Sequence, residues 1–368
     1  MSAKMKFNRG DVAEGILGAC LAAKFMKRPA KPTDEYPTVT KKDIDKVLDD
    51  FFQSGGELVE EVKDRATKKR RVKDTVIFSI ALPVAALNLL KNKKKRQDMV
   101  GDLYDSSIDY VEKEWEKDVE EFYMNGKPDT IEVRSDGTGD QKGTKADIKM
   151  DVNGSKYHRQ ISLKVSGGEQ FAQVSGDEFS KQLAIWNDIL GLDINKMERK
   201  YNAAMKGYDK SKFFSRRDDK KLIAFKEMLK TGSRAVYTEA SKQIKSAISS
   251  KSNTFYNSLV KLVIDGVTKG ELEVELVKLE SSKYKRLNFD KKSQAAYVRR
   301  MKSLRLVIVV PPNIDPQVRI YDGTQTKNNL ILQIRVKIES PSKTTKEGKM
   351  YKPYMRNYVE AGPRLFTI

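Results

Sequence analysis

The chain reads as an α+β protein in which a helical region separates the strands of one mixed sheet. Three observations predict this class. Apolar and polar residues alternate strictly on both sides of Asn153-Gly154, helical spacing governs the N-terminal part and residues 195–265, and from Leu304 the pattern returns to short β-branched runs bounded by proline and glycine.

In chain order, residues 11–27 read as a helix ended by Arg28-Pro29, and Lys31 to Pro37 as a linker. Lys41 to Glu61 and Asp98 to Tyr123 carry helical spacing. Between them, Thr75 to Leu90 is apolar and bracketed by basic runs, but its 16 residues include Pro83 and fall short of the ~20 that a membrane helix needs. A buried helix, or a helix pair broken at the proline, is expected there, and no membrane partner. Lys127-Pro128-Asp129 turns the chain into a first strand, Thr130 to Arg134. The hairpin follows, then an amphipathic helix over Phe179 to Leu190, then the lysine-rich helical stretch. Strands are expected at Leu304–Val310, Gln317–Tyr321, Leu330–Ile338 and Leu365–Ile368. The resulting division is an N-terminal helical region, 1–128; a hairpin and helix, 129–193; a helical insertion, 194–300; and C-terminal strands completing the sheet, 301–368.

The hairpin carries the chemistry. Ala146, Ile148, Met150 and Val152 alternate with Asp147, Lys149 and Asp151, while Ile161, Leu163 and Val165 alternate with Gln160, Ser162 and Lys164. A two-residue loop at Asn153-Gly154 sets Asp147 opposite Gln160; a four-residue loop sets it opposite Ser162. Either register keeps Asp147, Ser162 and Lys164 on one face. Only the wider loop brings Asp147 beside Lys164, since the tighter one leaves the lysine ~13 Å along the strand at ~3.3 Å per residue. An acid, a strand lysine and a second acid close behind are what a metal-dependent phosphodiester nuclease requires.

This arrangement resembles the PD-(D/E)xK nuclease superfamily, whose core hairpin bears one acid on its first strand and acid-x-lysine on its second. Asp147 corresponds to the first acid and Lys164 to the lysine. Ala146 stands in place of the usual proline and Ser162 in place of the second acid, giving Ser162-Leu163-Lys164. Some restriction endonucleases of the superfamily share Ser-x-Lys and take the missing carboxylate from the following helix. Here Asp177 and Glu178 follow Lys164 by 13 and 14 positions, with Glu178 the preferred donor. The resemblance covers residues 129–190 and implies a restriction-endonuclease-like mixed sheet flanked by helices. It also implies Mg²⁺ or Mn²⁺ held by Asp147 and Glu178, a further ligand in Glu14 of the N-terminal helix, and a site glutamine in Gln170. Asp147-Ile148-Lys149 is a second acid-x-lysine match, with Asp136 or Asp140 upstream. Lys164 is preferred because its strand ends at Gly167-Gly168 and feeds a helix, whereas Asp136 and Asp140 lie in a glycine-rich loop.

Composition points to a polyanionic partner. The net charge is +20, with charged residues at 33% of the chain, and most non-specific affinity for DNA is electrostatic. Candidate backbone contacts are Lys68, Lys69, Arg70 and Arg71, then Lys93, Lys94 and Lys95 within the run Lys91 to Arg96, and the stretch Lys210 to Lys221. Such runs also serve as solvated helix ends and loops. With one cysteine, Cys20, and one histidine, His158, zinc fingers, zinc deaminases, His-Asn-His endonucleases and disulfide scaffolds are excluded. Gly137 to Lys145 lacks the spacing of a nucleotide-binding loop. The expectation is a cytoplasmic Mg²⁺-dependent DNA nuclease of phage type, compatible with a homodimer. The alternative is a non-catalytic DNA-binding or virion-associated protein on the same fold.

Overall fold

Asn8 opens the first helix, its side chain accepting from the Gly10 amide at 3.1 Å, and α1 runs from Arg9 to Met26. Every residue from Asp11 to Phe25 is buried, so α1 is an interior helix covered on all sides rather than an amphipathic surface helix. The computed structural model describes residues 8–27, 34–53, 57–62, 65–73, 76–124, 131–135, 146–152, 158–165, 170–176, 186, 190–206, 214–215, 220–268, 274–287, 291–312, 315–340, 342–345 and 348–368. The chain divides into two units, residues 1–168 with 267–290, and residues 169–266 with 291–368.

The first unit is built on an eight-stranded sheet. Its strands are β1 (Glu57–Val62), β2 (Arg65–Lys73), β3 (Val76–Pro83), β4 (Ile131–Ser135), β5 (Ile148–Val152), β6 (His158–Val165), β8 (Val274–Leu279) and β9 (Tyr284–Leu287), and they lie side by side in that order. The sheet is mixed: β3 pairs with β4 and β6 with β8 in parallel, and the other neighbours are antiparallel. Helix α1 packs on β3, β4 and β6, with α2 (Lys41–Gln53), α3 (Val84–Lys91) and α4 (Lys93–Met124) around it. The helix lies close to the sheet. A Cβ on Gly18 would fall 2.2 Å from Ser135 Oγ, and that hydroxyl donates to the Glu14 carbonyl at 2.9 Å.

The apolar run at 75–90 is a correction. It forms β3 and then α3, with Pro83 at the junction, not a helix pair. Val76, Ile77, Phe78 and Ile80 favour a pleated surface, and burial of Val76, Phe78, Ser79, Ile80 and Leu82 leaves no polar face to reveal a period. Lys41 to Glu61 likewise splits into α2 and β1. Among the described residues, no helix is long and apolar enough to cross a membrane.

The second unit has its own five-stranded sheet. It comprises β7 (Gln170–Gly176), β10 (Leu306–Val309), β11 (Gln317–Asp322), β12 (Leu330–Glu339) and β15 (Tyr354–Ala361), in the spatial order β10-β11-β12-β15-β7. A separate hairpin is formed by β13 (Ser342–Thr345) and β14 (Gly348–Tyr351). The helices of this unit are α5 (Ile194–Ala204), α6 (Lys220–Ser249), α7 (Asn253–Thr268) and α8 (Lys291–Ser303). Helix α6 lies on β10, β11 and β12, where Tyr237 donates to Asn357 Oδ1 at 2.6 Å.

The expected division is therefore corrected in two places. The strands after residue 301 do not complete the hairpin's sheet; β8 and β9, from within the expected helical insertion, do so. Val274 to Leu279 is buried at every position, which removes the alternation by which a strand is recognised. Leu365 to Ile368 is no strand either, because Pro363 starts a 3₁₀ turn over Pro363–Thr367. The α+β class and the mixed sheet stand.

Candidate active site

β5 and β6 pair with Ile148 opposite Ile161 and Lys149 opposite Gln160. This is the wider-loop register, and it sets Asp147 against Ser162. Asp147 sits at the bend where β5 begins, its amide donating to the Ile161 carbonyl at 2.7 Å. Its side chain then continues the ladder that its backbone leaves: Oδ2 accepts from the Leu163 amide at 2.6 Å and from Ser162 Oγ at 3.4 Å. The Lys164 ammonium lies 3.6 Å from the same oxygen and donates to Ser162 Oγ at 3.3 Å and the Leu163 carbonyl at 2.9 Å. Three of the expected residues thus meet in one cluster, half-closed to solvent, with Asp147 9% exposed and Ser162 4%.

The contacts to the Asp147 carboxylate, from the Leu163 amide, Ser162 Oγ and the Lys164 ammonium, fall on Oδ2. A carboxylate and a hydroxyl are hard oxygen donors of the kind Mg²⁺ takes, usually through one or two carboxylates with waters and substrate phosphates. Among the described residues, no group of three or more acidic, histidine or cysteine side chains forms a fuller cage. A second carboxylate for such an ion would have to come from outside this cluster. Asp177 and Glu178, the sequence candidates, lie outside the described residues, as do Asp136 and Asp140 of the competing match. Glu14 is buried at 5% exposure in α1, one turn before Gly18; its carbonyl is held by Ser135, the register partner of Ile148.

Gln170 lies in β7 of the second unit, in register with Glu360. The basic runs also differ from expectation. Lys68 to Arg71 form part of β2, where Lys68 and Arg70 register with Ile80 and Phe78, and Lys69 and Arg71 with Ser79 and Ile77. Lys93, Lys94 and Lys95 are exposed at the start of α4. Arg96, the last of that run, is fully buried, donating to Asp45 at 2.9 Å, Asp49 at 2.7 Å and the Leu90 carbonyl at 2.8 Å.

On the opposite face a buried ionic network ties α4 to β6, β8 and β9. Glu275 accepts from Arg159 at 2.7 Å and from Arg286 and Tyr110; Arg286 also reaches Glu114, which accepts from Tyr284 at 2.5 Å. Burial alone raises the Glu275 carboxyl, but the Arg159 and Arg286 charges outweigh it and hold the group below the ordinary glutamate value. Burial pushes the Tyr110 phenol well up, so it stays a neutral donor. The network locks β8 in place beside the strand that carries Ser162 and Lys164. Its members are scattered over α4, β6, β8 and β9, and no local sequence signal joins them.

Comparison of the chain with family models, curated proteins and solved structures finds no match.

Proposed function

We propose that the chain is a metal-dependent DNA nuclease whose site is Asp147, Ser162 and Lys164 on the β5–β6 hairpin. The observation that carries this reading is the convergence of the Lys164 ammonium on Asp147 Oδ2 at 3.6 Å across the strand pair. The Asp147 and Glu178 carboxylates would hold Mg²⁺ or Mn²⁺. When bound, such an ion polarises a phosphate and acidifies a coordinated water. Lys164, anchored by its bonds to Ser162 Oγ and the Leu163 carbonyl, would place positive charge where the attacked phosphate gains negative charge. The net charge of +20 favours a polyanionic substrate.

A second reading, a DNA-binding or virion-associated protein without catalysis, is favoured by the serine at the acid position and by the engagement of Asp147 Oδ2 in the ladder. One exchange separates the two. DNA should be cut in Mg²⁺ or Mn²⁺ and spared in EDTA, and Glu178→Ala should abolish cutting. Ser162→Glu combined with Glu178→Ala should restore part of it, because the carboxylate returns to the strand position beside Asp147 and Lys164. Full activity of both Glu178→Ala and Ser162→Ala would rule out the displaced acid.

A further inference from the structure

Strands β8 and β9 bring two more lysines to the Asp147 face. Lys164 of β6 is in register with Lys278 of β8, and Lys278 with Lys285 of β9. Register partners on adjacent strands share a face and lie ~4.8 Å apart in the pairing direction. The three lysines therefore form one row across three strands, a ladder step of about 6.6 Å beyond the row that contains Asp147 and Ser162.

Like charges set opposite one another weaken a sheet. Glu280 moderates this row, lying 3.8 Å from Lys278 and 3.1 Å from Lys285, while Asp147 answers Lys164 at 3.6 Å. The Lys278 side chain is 8% exposed, whereas that of Lys285, on the edge strand, is 31% exposed. Positive charge that begins at the candidate active lysine and runs to an open edge suits an extended polyanion, and lysine ammonium groups bind phosphate as point charges.

We infer that this row is a rail for DNA: its two accessible ends, Lys164 and Lys285, contact the sugar-phosphate backbone between Asp147 and the β9 edge of the sheet, with the buried Lys278 adding only its field between them. This rests on the nuclease reading for its substrate, but its test is a binding measurement. Affinity for a short labelled duplex is measured by fluorescence anisotropy in EDTA over a salt series. The proteins compared are wild type, Lys285→Ala, Lys285→Glu and, as a charge-matched control, exposed Lys46→Ala.

Removing one phosphate-binding cation should lower the log–log salt slope by about 0.9 on a duplex, which is a three- to fourfold difference over a fourfold change in salt. Lys285→Ala should show this reduction, Lys285→Glu a larger one, and Lys46→Ala a smaller one. The melting temperature of Lys285→Ala should change little, because relief from Lys278 is offset by loss of the part-exposed ion pair with Glu280. An unchanged slope in both Lys285 variants overturns the rail. Magnesium-dependent cleavage is run on the same wild-type preparation. Cleavage with an unchanged Lys285 slope contradicts the rail alone, a Lys285-dependent slope without cleavage contradicts the nuclease reading alone, and absence of DNA binding contradicts both.

Discussion

Asp147→Asn should lower the rate of DNA cleavage by roughly 10²-fold or more, the scale of losing a metal ligand or a charge stabiliser, while DNA affinity holds. The choice of asparagine matters because Asp147 also holds the fold. Its Oδ2 accepts the Leu163 amide at 2.6 Å where the β5 ladder ends, and an asparagine oxygen can take over that bond. Alanine cannot. Asp147→Ala should lose cleavage to the same degree and also lose about 1–3 kcal/mol of stability, the cost of a buried donor left unsatisfied. Urea unfolding of the two variants beside cleavage assays separates the chemical role from the structural one. An Asn variant as active as wild type would move the site elsewhere.

The greatest loss of stability is expected at Glu275. The residue is 3% exposed and holds Arg159 and Arg286 together. Glu275→Ala leaves those guanidinium groups without their shared carboxylate, and breaking a buried pair on one side typically costs about 3–5 kcal/mol. The pH dependence follows from the direction of its shift. A carboxyl held below its ordinary value of about 4.3 contributes stability that is fully present above that pH and is lost as pH falls through the lower folded value. Unfolding midpoints should therefore fall below about pH 4.3 in wild type, and the fall should be shallower in Glu275→Gln. Equal acid sensitivity in the two proteins would show that other carboxyls govern the acid limb.

Much of the hairpin is legible in the sequence because one of its faces is apolar at every second residue. Ile148, Met150, Ile161 and Leu163 face the core, which fixes the side on which Asp147, Ser162 and Lys164 lie and leaves only loop length to choose between registers. The requirement that Asp147 meet Lys164 selects the wider loop, and the strand pairing has that register. Helix α1 is legible from the small and apolar run Gly15 to Ala23 and the stop at Arg28-Pro29. The elements that escape are those whose environment erases periodicity. β8 is buried at every position, and in β3 the half-buried positions Ile77, Ala81 and Pro83 are as apolar as the buried ones, so neither strand shows a polar face. The strand at Gln170 escapes because its partner β15 lies far along the chain. The lysine row is invisible in sequence because Lys164 and Lys278 stand far apart in the chain and meet only through β6–β8 pairing.

Hydrolysis of DNA by the Asp147–Ser162–Lys164 cluster is tested most simply by the relaxation of supercoiled plasmid, with wild type and Lys164→Ala compared under matched protein, salt and Mg²⁺. Lys164 carries no backbone hydrogen bond that the fold needs from its ammonium beyond the neighbouring Leu163 carbonyl, so the variant should fold and bind DNA. The expected result is nicking by wild type that EDTA stops and a rate at least roughly 10²-fold lower for Lys164→Ala. Nicking at equal rates by both proteins, or none by wild type in either Mg²⁺ or Mn²⁺, would contradict that chemistry.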